Sequence, residues 1–420
     1  MKLIKPSLVF ILPRNIWPPY AGQSRLCFYR AKELKKKGYK LILIYFSNRT
    51  DINNSNEKIL KSIFNEIHFI KIFNYDFIFI CFNSLLFRIF RKLPLQASWL
   101  NSPRLKKKFK NKINLIIKNN KKIIFHFYSI RSYSLWSLIN LYKKPFIIDL
   151  VDSMNLNIKG KIPNLTNKLS KLFWFLELRS IKYFERNLPF YSFCRRYYTV
   201  SKIDRNFFRN NSLKNKIPIK VHSIGTEITE KPADFKENKF NKNIIFFGSL
   251  DYEPNLSSIY WLIERVMPKV WEIDSNIILN IAGKNPSQRL IDICEKDKKI
   301  ILIPNPKNMS KYIRKAVIAV VPLISGSGQQ NKILEAMANG LPVITTNKGA
   351  KPFGFINNKD LLIEDKALNF ASAILNLYKD YKRIDKLREQ ALSEIKKNYT
   401  WAAVVNLLDE DYNKLNNENN

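Results

Sequence analysis

Lys332 and Glu335 stand about one helical turn apart, directly after a run of small and polar residues, Ser325-Gly326-Ser327-Gly328-Gln329-Gln330-Asn331. A lysine ammonium is a compact charge suited to phosphate. A carboxylate accepts two hydrogen bonds from a vicinal diol such as a ribose. Gly326 and Gly328 let backbone N–H groups approach an anion with no Cβ in the way. A helix after the loop adds the positive end of its dipole. A cation in a first helical turn is locally unfavourable, so an anionic ligand would account for Lys332. A phosphate cradle with a carboxylate one turn away suits a nucleotide sugar. The competing reading is an ordinary glycine-rich loop with a solvated Lys and Glu, and the loop alone does not decide between them.

The flanking residues predict what must hold this loop. Val317–Leu323 is a short apolar run rich in β-branched residues, which reads as a buried parallel strand. Asn331–Asn339 places Ile333, Leu334, Met337 and Ala338 on one helical face, with Gly340 at the C-cap position. Leu341–Thr346 returns as a strand. The result is a βαβ unit with its loop at the carboxyl end of the first strand, where open α/β sheets bind ligands.

KILEAMANGLPVI at 332–344 resembles the donor-binding motif of the retaining nucleotide-sugar glycosyltransferases of family four, the glycosyl transferases group 1, which have the GT-B fold. FFGSLDYEPNLSSIYWL at 246–262, LNIAGKNP at 279–286 and YTWAAVVNLL at 399–408 are similar to the start, second strand and closing segment of that family's donor domain. Many members carry two glutamates with seven residues between them. Glu335 matches the second, and Ser327 occupies the place of the first, which leaves open how the donor sugar is held.

The resemblance implies an α/β protein of two Rossmann-like domains facing a cleft, with a C-terminal helix crossing back to the N-terminal domain. It implies a nucleotide-sugar donor held by Gly22, Gly248, Ser249, Gly283, Gly326, Ser327, Gly328, Gln329, Asn331, Lys332 and Glu335. Lys332 would stabilise charge on the leaving diphosphate, and His126 would orient the sugar without a protein nucleophile. Trp17, Tyr20 and Asp152 would line the acceptor side. For His126, on an apolar strand, the alternative is a satisfied core residue. No cofactor or metal is expected. The Asp-x-Asp at Asp409–Asp411 lies near the chain end on an expected helix, so a metal-dependent Asp-x-Asp enzyme is not expected.

At 420 residues the chain accommodates two α/β domains. The expected boundaries are 1–228, a linker at 229–242, a donor domain at 243–398, and a crossover helix with tail at 399–420. Cys27, Cys81, Cys194 and Cys294 show no paired spacing, which argues against a disulfide framework or zinc site and for a reducing cytoplasm. The apolar run in MKLIKPSLVFILP ends without a small-residue cleavage site and reads as a first strand.

Charge is uneven. Residues 1–240 hold 47 Lys and Arg against 14 Asp and Glu, whereas residues 241–420 hold 25 against 20. An AT-rich genome would affect both halves, so the first half is expected to face something acidic, such as phospholipid, a lipid-linked acceptor or nucleic acid. No recognised nucleic-acid motif accompanies the charge.

Further expectations come in chain order. A helix is expected at Ser24–Lys37, strands at Leu41–Ser47, Lys122–Phe127 and Pro145–Val151, and irregular chain at 48–66. Asp76–Phe90 is apolar but broken by Asn83, Ser84 and Arg88, too short to span a bilayer. The basic and aromatic segment 91–112 and the amphipathic helix at Lys168–Asn187 suit an interfacial surface. The reading is therefore a glycosyltransferase of cell-envelope polysaccharide or glycolipid synthesis. It would be cytoplasmic and peripheral at the inner face of the plasma membrane, with a lipid-linked or glycan acceptor. A nucleotide-sugar epimerase of the same fold and a basic nucleic-acid-binding protein remain rivals.

Overall fold

The computed structural model describes residues 5–19, 22–48, 54–91, 93–162, 167–212, 216–229, 242–325 and 328–418. The chain divides into two compact units. One ends at Ser223 and is completed by the segment from Val404 onward; the other is Ile224–Ala403. Most of the expected linker, residues 230–241, lies outside the described residues.

The first unit is built on seven parallel strands: β1 (Ser7–Leu12), β2 (Leu41–Ser47), β3 (Glu66–Lys71), β4 (Ile123–Tyr128), β5 (Phe146–Val151), β6 (Cys194–Thr199) and β7 (Ile219–Val221), in the order β3-β2-β1-β4-β5-β6-β7. Every residue of β1, β2 and β4 is buried, as a central parallel strand covered on both faces requires. The labelled helices of this unit are α1 (Gly22–Lys36), α2 (Asn54–Ile63), α3 (Asn74–Arg91), α4 (Pro103–Asn119), α5 (Tyr133–Leu141), α6 (Met154–Lys161), α7 (Lys168–Arg186) and α8 (Lys202–Asn211).

Two local expectations are corrected. The stretch expected to be irregular carries α2 and the start of β3. EIHFIK escapes a pattern search because β3 is an edge strand, half-buried over most of its length. Helix α1 begins at Gly22 rather than Ser24. Helix α3 carries Asn83 and Ser84, whose side chains donate to the Asn101 and Ile80 carbonyls at 2.9 and 2.6 Å, and it is not apolar enough to cross a membrane, as expected.

The second unit is a six-stranded parallel sheet of β8 (Asn243–Phe247), β9 (Ile278–Gly283), β10 (Ile300–Pro304), β11 (Ile318–Val321), β12 (Val343–Thr345) and β13 (Leu362–Ile363), in the order β10-β9-β8-β11-β12-β13. The core joins Ile244–Phe247, Ile318–Val321 and the inner face of the helix Asn331–Ala338, with Ile333, Leu334, Met337 and Ala338 all buried as expected. Gly340 ends that helix with φ +79°, and the Gly340 and Leu341 amides return to the Met337 and Ala336 carbonyls. Both sheets reverse their winding next to their first strand, between β1 and β4 and between β8 and β11. Two doubly wound parallel units of this kind are the GT-B architecture.

The last helix, Trp401–Glu418, belongs to the first unit from Val404 onward, and polar anchors hold it there. Asp411 accepts from Tyr198 Oη at 2.6 Å and pairs with Lys220, and these partners with His222 hold its carboxyl well below the usual range despite burial. Asp409 accepts from Tyr39 Oη at 2.7 Å and lies 3.3 and 3.2 Å from the Lys5 and Lys37 ammonium groups. The Asp-x-Asp is thus spent on ion pairs. Asp411→Ala should cost on the order of 1.5–3 kcal/mol by leaving Tyr198 and Lys220 unmet. Hydrogen exchange over residues 404–418 is the measurement, and unchanged protection there would refute the anchor.

Candidate functional site

At the switch point of the second unit, β8 leads into Gly248 and Ser249, and β9 ends at Gly283. The two strand ends touch through backbone. A Cβ on Gly283 would lie 1.8 Å from the Gly248 carbonyl oxygen, so only glycine fits. Gly248 has φ +148°, a conformation that side-chain-bearing residues rarely adopt.

Lys332 enters from the other side of the switch, in the first turn of Asn331–Ala338 after β11. Its Nζ donates to Asn255 Oδ1 at 2.5 Å and lies 4.3 Å from the centre of the Phe246 ring. A Cβ on Gly248 would come within 3.1 Å of the same Nζ. Asn255 is itself fixed, donating through Nδ2 to the Ser249 carbonyl at 2.7 Å. An ammonium, a glycine turn and a helix N-terminus therefore converge at the carboxyl ends of β8 and β11, which is the chemistry of a phosphate site. Burial pushes the Lys332 pKa down to about 7, with Glu335 opposing part of the fall. Among the described residues no carboxylate pairs with Nζ, and a bound phosphate would supply that negative charge.

The loop before the helix is clamped at its base. Leu323 N donates to Thr346 Oγ1 at 3.0 Å, and Lys348 Nζ to the Ile324 carbonyl at 2.8 Å. Ser325 Oγ lies 2.8 Å from Ser257 Oγ. Gly328 has φ +81°. Gln329 has a bracing role beyond the expected one: Oε1 accepts from Ile224 N at 3.2 Å and Nε2 donates to the Pro352 carbonyl at 3.3 Å. Asn331 is the first helical residue, and Glu335 is half-buried one turn beyond it. Gly326 and Ser327 lie outside the described residues. Asn255, which orients the lysine, was not singled out by sequence reasoning; its one signal is a Pro-Asn pair opening a helix (Glu253–Trp261) after the glycine turn.

In the first unit the expected residues scatter. Gly22 opens α1 with φ +58° and open space around it. Trp17 is half-buried and packs edge-on against Phe28 of α1, ring centres 5.5 Å apart, so it supports the loop as well as facing outward. Tyr20 lies outside the described residues. Asp152 is half-buried, accepts from Asn157 Nδ2 at 2.7 Å, and is pushed up to about 6 by burial and by Asp204.

His126 is corrected. The side chain has no exposed surface, stacks on Tyr128 with ring centres 4.5 Å apart, and meets Tyr412 Oη at 2.6 Å through Nδ1. It holds the C-terminal helix in the unit core, and burial keeps it neutral by lowering its pKa. A sealed ring presents no nitrogen to a sugar. Beside it lies a fully buried ion pair, Arg30 Nη1 to Asp149 Oδ2 at 2.5 Å, with Arg30 Nη2 also donating to the His222 carbonyl at 2.7 Å. Among the described residues no group of three His, Cys, Asp or Glu side chains is gathered as for a metal.

Residues 241–380 match the family model described as glycosyl transferases group 1, so the second unit carries a domain of that kind. A protein of the cps region of Klebsiella pneumoniae, described as an uncharacterized 44.6 kDa protein, is 29% identical over 179 residues, which are 39% of this chain and 45% of that relative. The chain thus spans under half the length of the curated relative it matches. Among solved structures, sucrose-phosphate synthase from Thermosynechococcus elongatus superposes with a TM-score of 0.66 at 13% identity, covering 97% of this chain and 99% of that one. HepE from Anabaena in complex with UDP gives 0.63 at 10%, covering 97% and 100%. A TarM mutant of S. aureus in complex with Fondaparinux, alpha-GlcNAc-glycerol and UDP gives 0.67 at 13%, covering 98% and 100%. At these identities the likeness to solved structures shows the fold.

Proposed function

We propose that the chain is a glycosyltransferase that moves a sugar, with retention, from a nucleotide sugar to a glycan or lipid-linked acceptor in the making of a cell-envelope polysaccharide or glycolipid. The observation that carries this reading is Lys332 held at the β8–β11 switch point, its Nζ 2.5 Å from Asn255 and beside Gly248. The matched family domain and the UDP in two structural neighbours support a nucleoside diphosphate as the leaving group. The cps-region relative supports polysaccharide synthesis as the setting.

In this reading the chemical demand is negative charge growing on the leaving diphosphate. Lys332, the N-terminus of Asn331–Ala338 and the amides around Gly248 meet it. Glu335 takes the ribose diol. Lys332, charged once the diphosphate is bound, supplies the positive charge, and no metal is assigned. The basic first unit brings the enzyme to an acidic surface from the cytoplasmic side. Release of nucleoside diphosphate from a panel of nucleotide sugars is the direct test; no release from any, with or without envelope extract, would reject the reading. Glu335→Ala should weaken donor affinity by about 1.5–3 kcal/mol, the value of a charge-assisted hydrogen bond, and leave the melting temperature unchanged. Calorimetry giving wild-type affinity would take Glu335 out of the donor site.

A further inference from the structure

Helix α7 spends both of its acids inward. Glu177 accepts from Leu95 N at 2.8 Å and Glu185 from Ser153 Oγ at 2.9 Å, and both are buried. What it shows to solvent is divided in two. Leu169, Leu172, Leu176 and Tyr183, at spacings of three, four and seven, form an exposed apolar stripe, with Leu169 76% exposed. Lys168, Lys171, Arg179, Lys182 and Arg186 lie exposed along the adjoining stripe. Phe175, 62% exposed, falls within the basic stripe.

Helix α3 adds a second face of the same kind. Tyr75, Ile78, Phe79 and Phe82 are exposed at helical spacing, Ile78 by 71%, while its one acid, Asp76, is buried and bonded to Ser102 and Arg104. The two helices bracket one segment. Phe77 of α3 packs against Trp99 at 5.9 Å, and α7 holds Leu95 through Glu177. No helix among the described residues is long and apolar enough to cross a membrane.

A large exposed apolar surface on an otherwise charged protein marks a docking site. Apolar and basic stripes side by side, without acids, complement an interface between acyl chains and anionic headgroups. A second copy of the chain fits less well, because a symmetric contact through α7 would set its basic stripe against itself.

We propose that the exposed faces of α7 and α3 form one docking surface for an anionic lipid bilayer. The apolar stripe enters the headgroup boundary and the basic stripe pairs with headgroups. This rests on the peripheral-membrane part of the function proposed above and, of the two segments expected to be interfacial, puts the contact on α7 rather than on the basic stretch of 91–112. In that segment Arg104 is engaged by Asp76 and the Lys71 carbonyl, and Lys106 by Asn101, so neither is available to headgroups.

The test is flotation of the full-length protein with phosphatidylcholine vesicles containing none or a third phosphatidylglycerol, without donor or acceptor. Cys81 on α3 is exposed while Cys27, Cys194 and Cys294 are buried, so a polarity-sensitive dye on Cys81 reports whether α3 enters the boundary. The wild type should bind only the anionic vesicles, release in high salt, and shift the dye emission to the blue. Lys171→Gln with Arg179→Gln and Lys182→Gln should lower partition about 100-fold, at roughly fivefold for each cation removed. Leu172→Glu with Leu176→Glu should abolish binding, while Lys107→Gln with Lys108→Gln and Lys110→Gln should change it far less. Circular dichroism verifies that each variant is folded. Equal binding to neutral vesicles, no binding to anionic ones, an unshifted dye, or loss confined to the 107–110 variant would overturn the proposal. So would a wild-type dimer that the α7 variants convert to monomer. Nucleoside diphosphate release is measured separately in solution, so the docking surface and the transferase reading can fail independently.

Discussion

Asp149→Asn is expected to destabilise the first unit by about 3–5 kcal/mol, because it strips the counter-ion from a guanidinium with no access to water. Arg30 and Asp149 are both fully buried, and Arg30 cannot shed its charge. Burial alone would raise the Asp149 pKa, but the Arg30 charge, with the His126 ring 3.8 Å away, more than reverses this and holds it at about 2. A carboxyl depressed on folding contributes stability that is fully present above its unfolded pKa of roughly 4. That contribution is lost as pH falls from there through about 2. Wild-type stability should therefore drop across that window, and the variant, already without the carboxylate, should show a smaller drop. Urea unfolding read by hydrogen exchange in β4 and β5 isolates the first unit from the second. A cost below about 1 kcal/mol would mean that water reaches Arg30.

The strand, loop and helix around Lys332 were legible in the sequence because their signals are local. Lys332, Glu335 and the glycines lie within ten residues, and the runs around them carry clean strand and helix periods. His126 was not legible. Strand periodicity puts it on a buried face, but its partner Tyr412 lies 286 residues away, and nothing in KIIFHF distinguishes a histidine facing a substrate from one facing a helix from the far end of the chain. Asn255 escaped for a related reason: its worth is the bond to Lys332, made only when the turns after β8 and β11 come together. Amphipathicity exposed the basic and apolar character of α7, but that both stripes face outward depends on Glu177 and Glu185 having internal partners. Edge strand β3 was missed because a half-buried strand ending in charge resembles a loop.

Lys332→Ala is expected to cost two to three orders of magnitude in turnover, the usual effect of removing one preorganised donor aimed at developing charge. The donor Michaelis constant should rise by much less, since charge on the leaving phosphate is greater in the transition state than in the bound donor. Lys332→Arg should restore little, because Nζ sits in a small space bounded by Asn255, Phe246 and Gly248 that a planar guanidinium does not match. The lysine's depressed pKa of about 7 adds a signature that a surface lysine would lack. At pH 8 much of the free enzyme carries a neutral amine, and an arriving diphosphate favours the ammonium. Donor binding should then take up a proton from the buffer, and the uptake should vanish in Lys332→Ala. Calorimetry of nucleoside diphosphate binding in two buffers of different ionisation enthalpy measures this directly. Equal apparent enthalpies in both buffers for the wild type, together with unchanged turnover in Lys332→Ala, would show that the lysine does not meet the phosphates, and the leaving group would need another source of positive charge.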